Sequence, residues 1–260
     1  MGSGAEDLEL ALELADLADS MTLERFRDED LPVEEKPDLT PVTEADRAVE
    51  RMIRDGLSKA RPGDAVAGEE YGMGQAGDRR WIVDPIDGTK NYVRGIPVWA
   101  TLLALEEGDE ITVAVASAPA LDRRWWAARE QGAFMNDGLG ESRRLEVSAV
   151  KELADAQLSF AGFEAWEANE RLGALLELGR RCWRTRAFGD FWGYMLVAEG
   201  AVEISCEPVV EIWDLAAPQL IVEEAGGRFT DLRGEPRADG GSALGTNGLL
   251  HEAALEIVGV

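Results

Sequence analysis

Asp84 and Asp87 stand three residues apart on either side of Pro85 in the stretch WIVDPIDGTKNY, residues 81 to 92. Trp81, Ile82 and Val83 are strand material suited to burial, so both carboxylates are delivered by a buried element. Glu69 in GEEY, Asp46 in TEAD and Asp214 in IWDLAAPQL likewise end an apolar run or open a helix. Buried carboxylates that converge repel and raise one another's pKa values unless a cation sits among them. Oxygen donors without His or Cys suit Mg²⁺ or Mn²⁺ better than zinc. Each position also has a plainer reading. IDGT is a hairpin signal of the Asp-Gly type, and Asp214 holds the place of an N-cap before a helix closed by Gly226 and Gly227. Asp46 is an acid in a helix's first turn, and Glu69 and Glu70 are candidates for solvated loop charges. Singly each plainer reading is tenable; four of the five acids fall at element ends, where their side chains could converge on one site.

Other chemistries are excluded by what is missing. His251 is the single histidine; in a C-terminal helix it reads as a surface or interface residue, which disfavours a Ser/His/Asp or Cys/His nucleophile and an imidazole zinc site. GMGQAG, residues 72 to 77, has the glycine spacing of a dinucleotide loop but runs through DRR into the strand WIVD. It is expected to be a connecting loop, since the motif must follow a strand and open a helix. With 51 acidic and 26 basic residues the formal charge is −25, which opposes nucleic acid and anionic membranes as partners. Cys182 and Cys206 lack metal-ligand spacing and read as reduced thiols. The acidic, amphipathic N-terminal stretch has no basic segment before an apolar core, and no apolar run reaches membrane-spanning length, so the expected location is cytoplasmic.

Several elements must position these acids. Leu8, Leu12, Ala15 and Leu23 recur at helical spacing through residues 5 to 27, and Thr43 caps a second helix beginning at TEADRAVERMIRDGLSKA. The connection RDEDLPVEEKPDLTPV is polar and marked by prolines. AVAGEE, RWIVDPI, VWATLLALEE, ITVAVASAPA and RRWWAARE then read as a meander of antiparallel strands. Beyond about residue 150, strands (AQLSFAG, AVEISCE, SALGTN) alternate with helices (ANERLGALLELGRR, DFWGYMLVAEG, DLAAPQLIVEEAGG, GLLHEAALEIV), the pattern of an α/β layer. Two halves follow. Residues 1–136 form a helix pair with an antiparallel sheet, and residues 137–260 form an α/β half carrying Asp214.

GEEY at 68 to 71, WIVDPIDGTKNYVRGIPVWA at 81 to 100, IWDLAAPQLIVEEAGGRFTD at 212 to 231 and KPDLTPVTEAD at 36 to 46 resemble, in order and spacing, the inositol monophosphatase family of Mg²⁺-dependent, lithium-sensitive phosphatases. The resemblance covers essentially the whole chain. It implies an α+β or α/β fold, a layered αβαβα sandwich, and a homodimer. It further implies that Glu69, Asp84 and the carbonyl of Ile86 hold one Mg²⁺, that Asp84, Asp87 and Asp214 hold a second, and that a third shares Glu69, with Mn²⁺ as an alternative ion. Gly88 and Thr89 would cradle the phosphate of a monoester through backbone N–H groups, while Thr89, Asp46 and Glu69 would activate water. Lys36 matches a family lysine that tunes the site electrostatically.

The substrate is read from positions outside the metal core. Glu207 matches the family's contact to the substrate's hydroxyl or amine, and Asp190 stands where a small residue is usual; as an alternative, Asp190 caps the helix beginning at Phe191. Two acids facing the non-phosphate end favour an amino-bearing substrate. GIPVWATLLALEE, GDFWGY and the Glu207-Pro208 pair resemble the histidinol-phosphate phosphatase branch, which implies hydrolysis of L-histidinol phosphate in histidine biosynthesis. Trp99 and Trp192 are candidates to pack on an imidazole ring, or core residues. The rival activities are inositol-1-phosphate or broad sugar-phosphate hydrolysis, and, from another class, phosphometabolite binding without catalysis.

Overall fold

α1 (Ser3–Arg25) buries Ala11, Leu14, Ala15 and Ala18 along one side, the spacing of an amphipathic helix. The computed structural model describes residues 3–28, 32–35, 41–74 and 77–260. β1 (Val33–Glu35) and β2 (Pro41–Thr43) pair antiparallel, where the sequence reads only as a polar connection. They lead into α2 (Glu44–Ala60), whose N-cap Thr43 accepts from Ala45 N and Asp46 N through its hydroxyl, as its position predicts.

β3 (Ala65–Gly68), β4 (Gly72–Met73), β5 (Arg79–Asp87), β6 (Ala100–Glu107), β7 (Glu110–Ala118), β8 (Arg123–Ala128), β9 (Gly132–Asn136) and β10 (Arg143–Arg144) form an eight-stranded sheet in the order β10-β9-β8-β7-β6-β5-β3-β4. The short helix α3 (Thr89–Val93) joins β5 to β6. The expected antiparallel meander needs one correction: β3 and β5 pair parallel. β4 folds back on the outer edge of β3, so the chain returns to place β5 on its inner side in β3's own direction. The pairing of β10 with β9 carries this sheet past residue 136, where the sequence reading divides the chain.

The second sheet contains β11 (Gln157–Phe160), β12 (Arg184–Arg186), β13 (Ile204–Glu207), β14 (Arg228–Thr230) and β15 (Ala243–Thr246), in the order β12-β11-β13-β15-β14. β11 runs parallel to β12 and β13, whereas β15 runs antiparallel to β13 and β14. Around it lie α4 (Phe163–Ala168), α5 (Leu172–Arg181), α6 (Asp190–Ala198), α7 (Ile212–Glu224) and α8 (His251–Val258). The helix expected from residue 168 to 181 is interrupted between α4 and α5, where Glu170 takes a φ of +58°.

Alternation along the strands sets the layers. Trp81, Val83, Leu103, Leu105, Val113 and Val115 face α1 and α2, while Ile82, Leu102, Ala104, Ala114 and Ala116 join Phe191, Leu215 and Leu220 in the core beneath α6 and α7. Leu158, Ile204, Cys206 and Leu244 pack on the outer helices α5 and α8. The result is the αβαβα sandwich, with α6 and α7 between the sheets. Both helices therefore begin where the two sheets' ends meet, and both carry candidate site residues at their first turns.

Candidate active site

β5 does not end at Pro85. Asp84 pairs with Leu102 and Asp87 with Ala100, so three steps on β5 oppose two on β6, a bulge. Pro85 has no N–H to give the ladder, and its carbonyl accepts from Thr101 Oγ1 at 2.8 Å. A regular strand sends residues three apart to opposite faces; the bulge brings Asp84 and Asp87 to the same one. The hairpin suggested by IDGT does not form. The chain instead turns through Gly88 at φ +83° into α3, and a Cβ there would lie 3.0 Å from Val98 O, so the turn requires glycine.

Carboxylate oxygens of Asp84, Asp87 and Asp214 lie within 4.8 Å of one another. Asp214 is not the N-cap of α7. Glu211 takes that place, and Asp214, three residues on, accepts the Glu211 N–H at 3.0 Å. Burial, then the nearby charges of Glu69 and Asp87, hold Asp84 well above the ordinary carboxylate range, and its side-chain contact with Asp214 acts in the same direction. Burial lifts Asp214 to about 7. Asp87 is held well above its ordinary range by burial, then by the charge of Asp190. Three acids so placed are an unstable arrangement by themselves and a fitting one around hard cations. Glu69, at the end of β3, lines the same cleft. Behind it, Thr89 Oγ1 donates to Ile86 O at 3.0 Å and lies 3.3 Å from Asp46 Oδ1. Burial, partly offset by two bonds from Thr43, raises Asp46 to about 6.

The cleft measures about 320 Å³ and is also lined by Gly88, Lys90, Asp190, Tyr194 and Glu207. Wider clefts of about 750 and 820 Å³ lie elsewhere, but neither holds the buried carboxylate cluster. At the far end, Glu207 closes β13 and is 8% exposed. Burial, then the charge of Asp190, pushes its carboxyl well up. Asp190 also lies above the ordinary range through burial, held down by Lys90 and by a hydrogen bond from Asn91. Asp190 is not the cap of α6: it is the helix's first residue, with Gly189 before it. Asp87 does the capping instead, accepting the Phe191 N–H at 2.6 Å.

The family model described as "Inositol monophosphatase family" matches residues 5–258. This chain belongs to the inositol monophosphatase family. It is 54% identical to the histidinol-phosphatase of Streptomyces coelicolor, over 96% of each chain. It is 55% identical to the histidinol-phosphatase of Mycobacterium tuberculosis, again over 96% of each. The solved structure of an IMPase from Thermotoga maritima superposes with a TM-score of 0.86 at 32% identity, covering 97% of this chain and 96% of that one.

On this inositol monophosphatase scaffold, the structure brings together Glu69, Asp84, Ile86, Asp87, Gly88, Thr89, Asp214, Asp190 and Glu207, with Asp46 one layer behind Thr89. Lys36 lies outside the described residues. Trp99 is core, fully buried against Tyr92 and Phe26, and Trp192 packs edge-on against Phe188 and against the core under α6, outside the cleft's lining residues. His251 is not a surface residue. It is fully buried, bridged by Thr230 and Thr246 hydroxyls at 3.0 Å each, and burial lowers its pKa to about 4. In GMGQAG, Gly72 and Met73 form β4 and open no helix.

Three residues escaped the sequence reading. Tyr194 lies four residues after Asp190, hence on the same side of α6, and its buried hydroxyl has no hydrogen-bond partner among the described residues. Asn91 Nδ2 donates to Asp190 Oδ2 at 3.0 Å. Glu50, fully buried, accepts from Glu70 N at 2.7 Å, Tyr71 N at 3.3 Å and Arg54 Nε at 2.7 Å, anchoring the turn that carries Glu69. Its signal was available: Asp46 and Glu50 are four apart and interrupt the apolar face of α2 with acids.

Proposed function

We propose that this protein is a Mg²⁺-dependent phosphomonoesterase that hydrolyses L-histidinol phosphate to L-histidinol and phosphate, acting in the cytoplasm as a homodimer. The observation that carries the substrate is Glu207. It is a buried carboxylate in the cleft with no hydrogen bond or ion pair from any described residue, and Asp190 stands beside it, so a cationic group on the ligand is what would make its burial affordable. The ammonium of histidinol phosphate supplies that charge; a neutral polyol does not. Identity of 54–55% over 96% of two histidinol-phosphatases supports the same reading.

Glu69, Asp84 and the Ile86 carbonyl would hold one Mg²⁺, and Asp84, Asp87 and Asp214 a second, with Glu69 shared by a third. Divalent cations bound there supply Lewis acidity and neutralise the phosphate's charge. Gly88 and Thr89 present N–H groups at the start of α3, where helical backbone donors lack internal partners and suit an anion. Thr89 Oγ1 lies between the cleft and Asp46, so it can take a proton from the attacking water and pass its own to Asp46 Oδ1. Asp46, raised to about 6, is basic enough to accept it and is ionised near neutral pH. The water oxygen bonds to phosphorus, the ester P–O bond breaks, and the leaving alkoxide takes a proton from solvent. Glu207 and Asp190 meanwhile hold the amine, which fixes the ester relative to Thr89.

Steady-state phosphate release with Mg²⁺ tests this directly. The expected result is a kcat/KM for histidinol phosphate well above that for inositol 1-phosphate. A rate on inositol 1-phosphate that equals or exceeds it would sink the substrate assignment in favour of a broad sugar-phosphate phosphatase. No turnover of either, with Mg²⁺ still bound, would favour a non-catalytic phosphometabolite-binding protein.

A further inference from the structure

Asn91 sits at the third position of α3, three residues beyond Gly88 in the segment assigned to phosphate. Its backbone is locked: Asn91 N donates to Gly88 O at 2.8 Å, and its carbonyl accepts from Ile96 N at 2.9 Å. The side-chain amide has two hydrogens. One goes to Val98 O at 2.9 Å and the other to Asp190 Oδ2 at 3.0 Å, across 99 residues of sequence. Asp190 itself has a φ of +48°, a left-handed conformation unusual for a residue with a side chain. Such a conformation persists only where surrounding contacts hold it. Two contacts do so, and both come from the five residues that end β5 and open α3: Asp87 Oδ2 takes the Phe191 N–H, and Asn91 Nδ2 donates to the Asp190 carboxylate.

We propose that Asn91 is a positioning residue for substrate selectivity, its amide holding the Asp190 carboxylate at the amine end of the cleft while its backbone belongs to the phosphate-gripping turn. The two ends of the ligand are thereby gauged from one rigid segment, so an ester of the right length satisfies both at once. This rests on Asp190 contacting the substrate's amine. A neutral ester, making no demand on Asp190, gains nothing from the tether.

The test uses the full chain with Mg²⁺ and measures the ratio of kcat/KM for histidinol phosphate to that for inositol 1-phosphate in wild type, Asn91→Ala, Asp190→Asn and the double variant. Loss of one hydrogen bond to a charged group corresponds to about tenfold. Asn91→Ala is expected to lower the ratio by about that factor, chiefly through KM for the amine substrate. In the Asp190→Asn background it should lower the ratio little further, the signature of residues acting as a pair. Asn91→Asp sets a second carboxylate against Asp190 and should lower the ratio as well, which gives a reading even where the alanine variant folds poorly. A ratio lowered by Asp190→Asn but unmoved by Asn91→Ala and Asn91→Asp overturns the inference alone. A ratio unmoved by Asp190→Asn overturns the amine contact beneath it.

Discussion

The Asp87 side chain caps α6 through Phe191 N at 2.6 Å and also belongs to the three-carboxylate cluster, and two substitutions separate these tasks. Asp87→Asn keeps an oxygen that can accept the Phe191 N–H but removes the charge. It should melt close to wild type, bind Mg²⁺ weakly in calorimetry, and lose activity by more than the roughly 10–100-fold seen when residues one layer out from a metal are changed. Asp87→Ala should lose activity equally and also destabilise the fold by about 1–3 kcal/mol, the cost of a buried N–H left unmet. Near-normal turnover in the asparagine variant would refute the assignment of Asp87 to a cation. At the other end of the cleft, Glu207→Gln preserves shape and deletes the buried charge. It is expected to reduce kcat/KM for histidinol phosphate far more than for inositol 1-phosphate; an equal loss on both esters would remove the reason for choosing an amine substrate.

At the scale of elements, the turn between β3 and β4 shows how a site residue is held from behind. Glu50 on α2 reaches the turn's N–H groups, and Arg54 braces it by donating to Val66 O and Gly72 O at 3.2 and 2.8 Å. A Cβ on Gly68 would fall 2.1 Å from Glu50 Oε1, so only glycine lets the carboxylate come this close. Glu50→Ala should cost about 2–4 kcal/mol in urea unfolding, with Glu50→Gln intermediate because one acceptor remains. An alanine variant as stable as wild type would mean that the turn holds itself. Helical periodicity made α2 legible in the sequence, continuous apolar runs bounded by Pro85 and by Gly226-Gly227 made β5 and α7 legible, and chemical type made the acids of the site legible, since few roles suit so many carboxylates at element ends. The remainder depended on distant partners. β12 reads RTR and β14 reads RFT, three residues each whose strand state is imposed by the neighbours they pair with. The bulge at Pro85 exists only against β6. Asn91 and Tyr194 matter through what α6 brings to them, and His251 could be buried only because threonines 21 and 5 residues away bond its ring.

For the whole molecule, the formal charge of −25 and the acid cluster act in the same direction. Burial raises Asp214 to about 7 and holds Asp84, Asp87 and Glu207 well above their ordinary values. A carboxyl whose pKa is raised by folding binds more protons in the native than in the unfolded state, so stability falls as pH rises through the folded value. His251 has the opposite sign. Its pKa is lowered to about 4, so its contribution is complete above the unfolded value of roughly 6.5 and is lost only on acidification. Between pH 6.5 and 8 the histidine is therefore silent, and the trend there belongs to the acids. Chelated protein should melt at a progressively lower temperature across that interval, by roughly 5 °C or more if the acids together cost a few kcal/mol. Saturating Mg²⁺ should remove most of the decline, because a cation bound to the native state replaces the protons and adds its own binding energy. Melting curves with chelator and with Mg²⁺ at matched ionic strength separate this from general screening. A chelated protein whose melting temperature stays level or rises between pH 6.5 and 8 would show that the carboxylates are not crowded together at the cost of stability, and would remove the physical reason for placing cations among them.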